Sequence, residues 1–474
     1  MPRIPLRFPV PGESKIADEI RKRRHPRDLI SLDGVLLHNP SIANGWNSLI
    51  GPIRSENSLP ADIRELLILR VAALNSAAYE WVQHETIARA AGMSTTQLCR
   101  VRDIVKPLSD PHHQLSPSQI TALAFADAVT RTLDIPDELI EEFKQNLGGP
   151  EPDRALLDAT TTVAAYNMVS RVLITLDVAD DKRAPVPLPG LVTTHHRLTM
   201  RDGTELEVCT RAVPADQEPG RPWIVFVNSL LVEMSMWEEV LPSFAKKFNL
   251  LCFDQRGHGK SAVPPEPCTI EGLVEDVTEI VTQLGLSVPI HGIIGVSQGG
   301  ATALGLAAHH PDLFEKLVVC DSQPASPNIS RSLWEARLGL KENQGSRHLA
   351  EVTVQRWFPS ASGLHLPESR LGNKIRRMVE HTSLEGFRAG CAALCDYKID
   401  ESKMNGTKIL LVAGEEDGKL PEVLKGLGER IGARYENVPG AGHLPMVDQP
   451  AGFLKASGII LGVITLIKWV KRRW

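Results

Sequence analysis

The chain has little that would commit it to nucleic acid, to a metal or to an oxidising compartment. Lysine and arginine number 52 against 57 aspartates and glutamates, a net charge of −5 over 474 residues. There is no basic field to attract a polyanion, so no nucleic-acid partner is expected. The seven cysteines (99, 209, 252, 268, 320, 391 and 395) are odd in number and scattered. Their spacing argues against a zinc site and a disulfide framework and suits free thiols in a reducing compartment, the cytoplasm. The first fifteen residues, MPRIPLRFPVPGESK, hold basic side chains but no continuous apolar stretch, which excludes a secretory signal there. Internal repeats and low-complexity tracts are also lacking. Long hydrophobic runs are rare, and the one at the carboxyl end, ASGIILGVITLI (Ala456 to Ile467), is twelve residues followed by KWVKRRW. Spanning a bilayer takes about twenty residues. A packed last helix is therefore expected, with a short membrane anchor snorkelling through Lys468 as the alternative.

What is there divides in two. The length is about three times that of a usual single domain, so two hydrophobic cores are expected. Residues 15 to 177 read as helix nearly throughout, with amphipathic spacing in Ala61 to Ala73, Trp81 to Ala91, Pro117 to Leu133 and Leu156 to Leu176. The run DVADDKRAPVPLPG, Asp177 to Gly190, then packs charges, three prolines and a glycine together and marks a boundary. The expected division is a helical domain over 1–180, a linker over 181–192 and a second domain over 193–474. In that second domain short β-branched runs alternate with helical segments, which argues for a mostly parallel sheet covered by helices. The expected strands are Glu205 to Arg211, Trp223 to Val227, Leu250 to Asp254, Ile290 to Gly295, Lys316 to Cys320, Lys408 to Ala413 and Arg434 to Val438. The strand-free stretch between the fifth and sixth, about 322–405, reads as a helical cap inserted over a site.

Chemistry concentrates at IHGIIGVSQGG, Ile290 to Gly300, where a Gly-x-Ser-x-Gly (Gly295, Ser297, Gly299) follows an apolar strand and opens a helix. A serine on so sharp a turn needs small neighbours and leaves its Oγ clear at the strand's end; the arrangement resembles the nucleophile turn of α/β-hydrolases. That fold places an acid and then a histidine after later strands. Asp417, after KILLVAGEE, and His443, in VPGAGHLPMVDQP, stand in those places, with Glu415 and Glu416 as alternative acids. His443 would take the Ser297 proton and Asp417 would fix its tautomer. The oxyanion would be met by two backbone amides: Gln298, after the nucleophile, and Leu230, in the loop after IVFV. Asp254 and QRGHGKS read as a structural Gly-rich loop at the site's edge.

From about Thr193 to Pro450 the motifs NSLLVEMSMW, FDQRGHGKS, GVSQGG, QRWF, EGFRAGCAALCDYKI and GAGHLPMVDQP resemble the 3-oxoadipate enol-lactonases in order and spacing. The matches in the cap carry the subfamily, since the core motifs are common to the whole fold. The resemblance implies that Ser297 opens an enol-lactone ring through an acyl-enzyme, which water activated by His443 then releases. It also implies a substrate carboxylate, for which Arg388 of the cap, with Trp357 nearby, is the proposed partner. Two departures bear on the acyl pocket: Leu231 stands where the family has glycine, and Lys419, Leu420 and Pro421 stand where it has a Thr-Pro.

In the helical half, LPADIRELLILRVAALNSAAYEWVQHETIARAAGMS (Leu59 to Ser94) resembles the carboxymuconolactone decarboxylase family, which includes alkylhydroperoxidase D-like proteins. Glu80 and His84, four apart, share one helix face, and Glu65 of the preceding helix could join them. Peroxidase members carry a Cys-x-x-Cys where this chain has Ala77 and Glu80, which argues against thiol redox chemistry. Two readings stay open: acid–base work in a decarboxylation, or a structural module in which Glu80 and His84 merely pair and which makes the protein a homo-oligomer.

The expected whole is thus a multidomain chain, an all-α carboxymuconolactone decarboxylase-like domain followed by an α/β-hydrolase domain with a helical cap. It would act on a small lactone or ester, with no cofactor and no metal. A decarboxylase and an enol-lactone hydrolase in one chain would run consecutive steps of aromatic breakdown. The alternatives are a hydrolase of another lactone, ester or thioester in a biosynthetic pathway, and a non-enzymatic assembly protein that kept both scaffolds.

Overall fold

The computed structural model describes residues 2–25, 28–104, 114–132, 134–147, 149–178, 186–214, 218–327 and 330–462. Contacts divide the chain into two compact units, Met1–Gly190 and Leu191–Trp474. Of the linker expected over 181–192, residues 181–185 lie outside the described residues. Val186 stays with the first unit, 8% exposed and accepting from Arg102 Nε at 2.9 Å. The Gly190 N–H likewise donates to Glu85 at 3.1 Å.

The first unit is helical: α1 (Lys15–Arg24), α2 (Ser31–Leu36), α3 (Pro40–Ser55), α4 (Ala61–Asn75), α5 (Ala78–Ala90), α6 (Thr95–Arg102), α7 (Pro117–Arg131), α8 (Asp137–Leu147) and α9 (Pro152–Leu176). Its axis is α4, buried along most of its length, with Leu66, Leu67, Ile68, Leu69 and Val71 fully buried against α5, α7 and α9. Each such side chain stabilises the fold by roughly 1.5–3 kcal/mol. The one buried cation of that helix, Arg70, is matched by Asp127 through two bonds of 2.5 and 2.8 Å. It also donates to the carbonyls of Val101 and Asp103, so its charge is compensated and its donors are used. Ser116 and Gln119 form a capping box that starts α7, and Ser76 ends α4 in the left-handed region at φ 57°.

The second unit is an eight-stranded sheet in the order β1-β2-β4-β3-β5-β6-β7-β8. Its strands are β1 (Val192–Thr199), β2 (Glu205–Ala212), β3 (Trp223–Val227), β4 (Asn249–Phe253), β5 (Ile290–Val296), β6 (Phe314–Cys320), β7 (Ile409–Gly414) and β8 (Arg434–Val438). The strands from β4 to β8 run parallel, and β1 and β2 pair antiparallel at one edge. The seven expected strands are present with ends shifted by a residue or two, whereas β1 was not expected. Its sequence, VTTHHRLT, is polar and mostly exposed at the sheet edge. Helices α10 (Leu241–Phe244), α11 (Ile270–Gln283), α12 (Gln298–His309), α16 (Leu420–Ile431), α17 (Pro445–Asp448) and α18 (Pro450–Leu461) belong to this unit. The cap, α13 (Ser330–Trp357, kinked at Gly345), α14 (Arg370–His381) and α15 (Leu384–Ala393), lies between β6 and β7.

The carboxyl-terminal apolar run begins in α18, which packs on β7 and β8 and buries Phe453 and Leu461 completely. Residues 463–474, most of the second half of that run with its basic end, lie outside the described residues. No helix among the described residues is long and apolar enough to cross a membrane.

Candidate active site

Ser297 sits between β5 and α12 with φ 55° and ψ −115°, a backbone conformation that costs a non-glycine residue about 1–3 kcal/mol. The turn is locked on both sides. Ser297 N–H donates to Cys320 O at 2.9 Å, and Ser322 Oγ donates to Ser297 O at 2.8 Å. The glycines of the motif are steric necessities: a Cβ on Gly295 would strike the Gly299 carbonyl, and one on Gly299 would strike that of Val227. The strain therefore leaves Ser297 part-exposed at the sheet's carboxyl edge while Gln298 behind it is 1% exposed.

On the same edge, His443 Nδ1 and Asp417 Oδ2 are 2.6 Å apart. A carboxylate partner makes Nδ1 the protonated nitrogen and leaves Nε2 free to accept a proton. Burial opposes ionisation of Asp417, but the charge and hydrogen bond of His443, then the neighbouring Asp321 side chain and the charge of Arg356, outweigh it and hold the carboxyl below its usual range. Glu415 and Glu416, the alternative acids, point to solvent, and Glu415 accepts the Gly440 N–H at 2.9 Å. The imidazole stacks on Trp357, centroids 5.7 Å apart at 26°, and the His443 N–H donates to Trp357 O at 2.8 Å. Trp357 thus orients the histidine from the cap. Among the described residues Ser297 Oγ and His443 Nε2 make no hydrogen bond to each other; in a free enzyme such contacts are often long and tighten on substrate.

The loop after β3 is held by Asn228. Its Nδ2 donates to Phe253 O at 2.7 Å, its Oδ1 accepts from Trp237 Nε1 at 2.8 Å, and its carbonyl takes the Gly299 N–H at 3.0 Å. Loop and nucleophile helix are thereby one piece, with Leu230 buried in it. Leu231 has φ 69°, the left-handed region that favours glycine. Asp254 is structural, its two oxygens accepting the N–H groups of Met234 and Lys260 at 2.8 and 2.9 Å. The cap docks directly on this floor: Gly386 is pressed against Gly257, and Gln298 Nε2 donates to Gly390 O at 2.7 Å.

Arg388 is half exposed and pairs with Glu342 at 2.6 Å, which compensates its charge on the cap surface. Arg356, next to Trp357, is different. Its side chain is exposed, and partial desolvation against the cap, followed by repulsion from Arg337, lowers its guanidinium while Asp417 pulls the other way. Among the described residues it makes no ion pair. Arg337 lies over the Trp334 ring at 4.4 Å. Sequence reasoning missed Arg356 and Asp321.

The helical unit holds a second buried cluster. The expectation that Glu80 would orient His84 is corrected: the partner is Glu65, at 2.7 Å from Nδ1, and Tyr166 Oη lies 3.2 Å from Nε2. Glu80 instead accepts from Ser170 Oγ at 2.9 Å, and its other oxygen is buried without a partner. Two i,i+4 pairs, Glu80 with His84 on α5 and Tyr166 with Ser170 on α9, face each other. Burial pushes Glu80 well above the carboxylate range and pulls His84 below its ordinary value despite Glu65. In this cluster burial therefore disfavours the charged form of both Glu80 and His84.

A strained serine at a strand's end, a carboxylate–imidazole pair on later loops and a helical cap define an α/β-hydrolase acting on carboxylic esters or lactones. The family described as alpha/beta hydrolase fold matches residues 222–450, and the carboxymuconolactone decarboxylase family matches residues 40–127. The chain is similar to 3-oxoadipate enol-lactonase 2 of Acinetobacter baylyi, 31% identical over 236 residues that cover 49% of this chain and 86% of the relative. The organism's 3-oxoadipate enol-lactonase 1 is 29% identical over 259 residues, 54% of this chain and 94% of the relative. The enol-lactonase structure from Burkholderia xenovorans LB400 superposes with a TM-score of 0.50 at 28% identity, covering 56% of this chain and all of that one. The chain belongs to the α/β-hydrolase family, fused to a domain of the carboxymuconolactone decarboxylase family.

Proposed function

We propose that residues 191–474 open an enol-lactone with Ser297 as nucleophile, His443 as base and Asp417 as the acid that orients it. The observation that carries this reading is the 2.6 Å Asp417–His443 pair on the sheet edge where the strained serine turn also ends. Ser297 Oγ attacks the lactone carbonyl as His443 Nε2 takes its proton. The Leu230 and Gln298 amides receive the oxyanion. The ring C–O bond then breaks, the ring oxygen leaves with the proton from His443, and an acyl-enzyme remains. Water loses a proton to His443 as it attacks, the C–Oγ bond breaks, and Ser297 regains its proton. The released enol tautomerises to a keto acid. For a substrate carboxylate, Arg356 is the better partner than Arg388, because its charge has no counterion of its own.

The buried Glu65–His84–Tyr166 line favours a chemical reading of the helical unit as well. Loss of carbon dioxide from a carboxymuconolactone leaves a carbanion-like carbon that needs a proton. The proposed proton source is Glu80, which burial favours in its acid form, and His84, backed by Glu65 and facing Tyr166, is the proposed acid–base group that passes that proton to the carbon. The product would be the enol-lactone that the hydrolase opens. The test is to supply carboxymuconolactone and the enol-lactone separately and follow ring opening and carbon dioxide release. Turnover of both supports the two-step reading. Opening of simple esters without turnover of either lactone would instead favour a hydrolase of another ester or thioester, for which the Leu231 and Lys419 departures speak.

A further inference from the structure

Asp321 directly follows β6, one strand from the nucleophile, and is 1% exposed. Its N–H donates to Val412 O at 3.0 Å and its Oδ1 accepts the Gly414 N–H at 2.8 Å. The Asp417 N–H donates to Gly414 O at 3.1 Å, so the Asp321 carboxyl and the Asp417 backbone are tied to the same residue at the end of β7. The following residue, Ser322, holds the Ser297 carbonyl. Asp321 Oδ2 is buried and has no hydrogen-bond partner among the described residues; besides the Gly414 N–H, the neighbouring group that acts most on the Asp321 side chain is the Asp417 carboxyl.

Two ionised carboxylates in such a place would repel and leave Oδ2 as an orphan acceptor, a costly combination. One proton on Asp321 removes both penalties. We propose that Asp321 is a positioning residue held as the neutral acid, donating a hydrogen bond to Asp417 so that acid, carboxylate and imidazole form one chain Asp321–Asp417–His443. This rests on the reading of Asp417 as the acid that orients His443. The surroundings agree: burial and then the Asp417 charge push Asp321 well above the carboxylate range, against the pull of Gly414. The other titratable groups facing the pair are His443, Arg356 of the cap, Tyr435 of β8 and Cys320 of β6.

Donation from Asp321 draws charge from Asp417 and makes it a weaker base toward His443. Without that donor Asp417 holds the imidazolium more tightly, so His443 loses its proton at higher pH and the acid limb of activity moves up. The experiment compares pH profiles of 4-nitrophenyl ester hydrolysis by the full-length wild type, Asp321→Leu and Asp321→Asn, and records the infrared spectrum of the wild type and the Asn variant at pH 7. Asp321→Leu should lower kcat roughly 10–100-fold with KM little changed and shift the acid limb upward. Asn, a neutral donor of the same shape, should recover activity to within about threefold and restore the limb. The wild type minus Asn-variant difference spectrum should show a protonated-carboxyl C=O band, since the buried Glu80 contributes equally to both and cancels. A loss on the order of 10⁴ for Asn, as expected where an ionised acid is removed, would overturn the proposal. So would absence of the band. If Leu does not fold, Asn and the band decide alone. Wild-type hydrolysis by Ser297→Ala would defeat the reading of the triad instead, and the band would still report on Asp321.

Discussion

The two halves of this chain use the same pair differently. In the hydrolase unit Asp417 holds His443 at 2.6 Å; in the helical unit Glu65 holds His84 at 2.7 Å. The side chains of the first pair retain 14% and 16% exposure, those of the second 6% and 3%. His443 lies on the sheet edge that also carries the strained, part-exposed Ser297, whereas His84 Nε2 lies 3.2 Å from the Tyr166 hydroxyl and burial pulls the imidazole below its ordinary value. A carboxylate–imidazole pair is therefore not a function in itself. What stands at the second ring nitrogen, and whether substrate reaches it, decides what the pair can do.

Removing each pair's carboxylate breaks the comparison most sharply. Asp417→Asn should cut kcat/KM for ester hydrolysis on the order of 10⁴-fold while the thermal midpoint barely moves. Glu65→Gln should leave ester hydrolysis unchanged but destabilise the helical unit by about 1–3 kcal/mol, seen in urea denaturation. A large hydrolytic loss from Glu65→Gln would mean that the two sites do not act separately. If carbon dioxide release persists in Glu65→Gln and in His84→Ala, the helical pair is structural. Next in size, Arg356→Gln should raise KM for mono-4-nitrophenyl adipate roughly 10–100-fold and change KM for 4-nitrophenyl pentanoate less than about threefold. Equal effects on the two esters would remove Arg356 as the carboxylate partner.

A smaller effect concerns pH. Burial lowers His258 to about 4. Since the unfolded chain binds a proton near pH 6.5 that the folded chain refuses, His258's contribution to stability is complete above pH 6.5 and falls by roughly 3 kcal/mol as pH drops to about 4. In urea titrations across that window, the stability gap between wild type and His258→Gln should shift in favour of the variant as pH falls. A constant gap would contradict the burial of a neutral imidazole.

The candidate hydrolase site could be proposed from sequence because its chemistry is tied to local pattern. Apolar β-branched runs announce strands, and Ser297, Asp417 and His443 each follow one. Strand β1 escaped because an exposed edge strand needs no apolar alternation. Asp321 escaped because it lies in VVCDSQPAS, where no spacing marks it; its meaning comes from Gly414 and Asp417, about ninety residues on. In the helical unit, i,i+4 spacing correctly put Glu80 and His84 on one face, but a shared face does not name a partner. Both side chains found theirs on other helices, Glu65 on α4, Ser170 and Tyr166 on α9. Arg388 and Arg356 look alike in sequence, and only Glu342, forty-six residues from Arg388, separates a paired arginine from an unpaired one.

The central claim is that Ser297 is a nucleophile activated by His443. Its most direct test is stoichiometric labelling of the full-length chain with a fluorophosphonate, located by peptide mass spectrometry. The account predicts one label per chain on Ser297, absent in Ser297→Ala and greatly slowed in His443→Ala. A label on another residue, or equal labelling of Ser297→Ala, would contradict it.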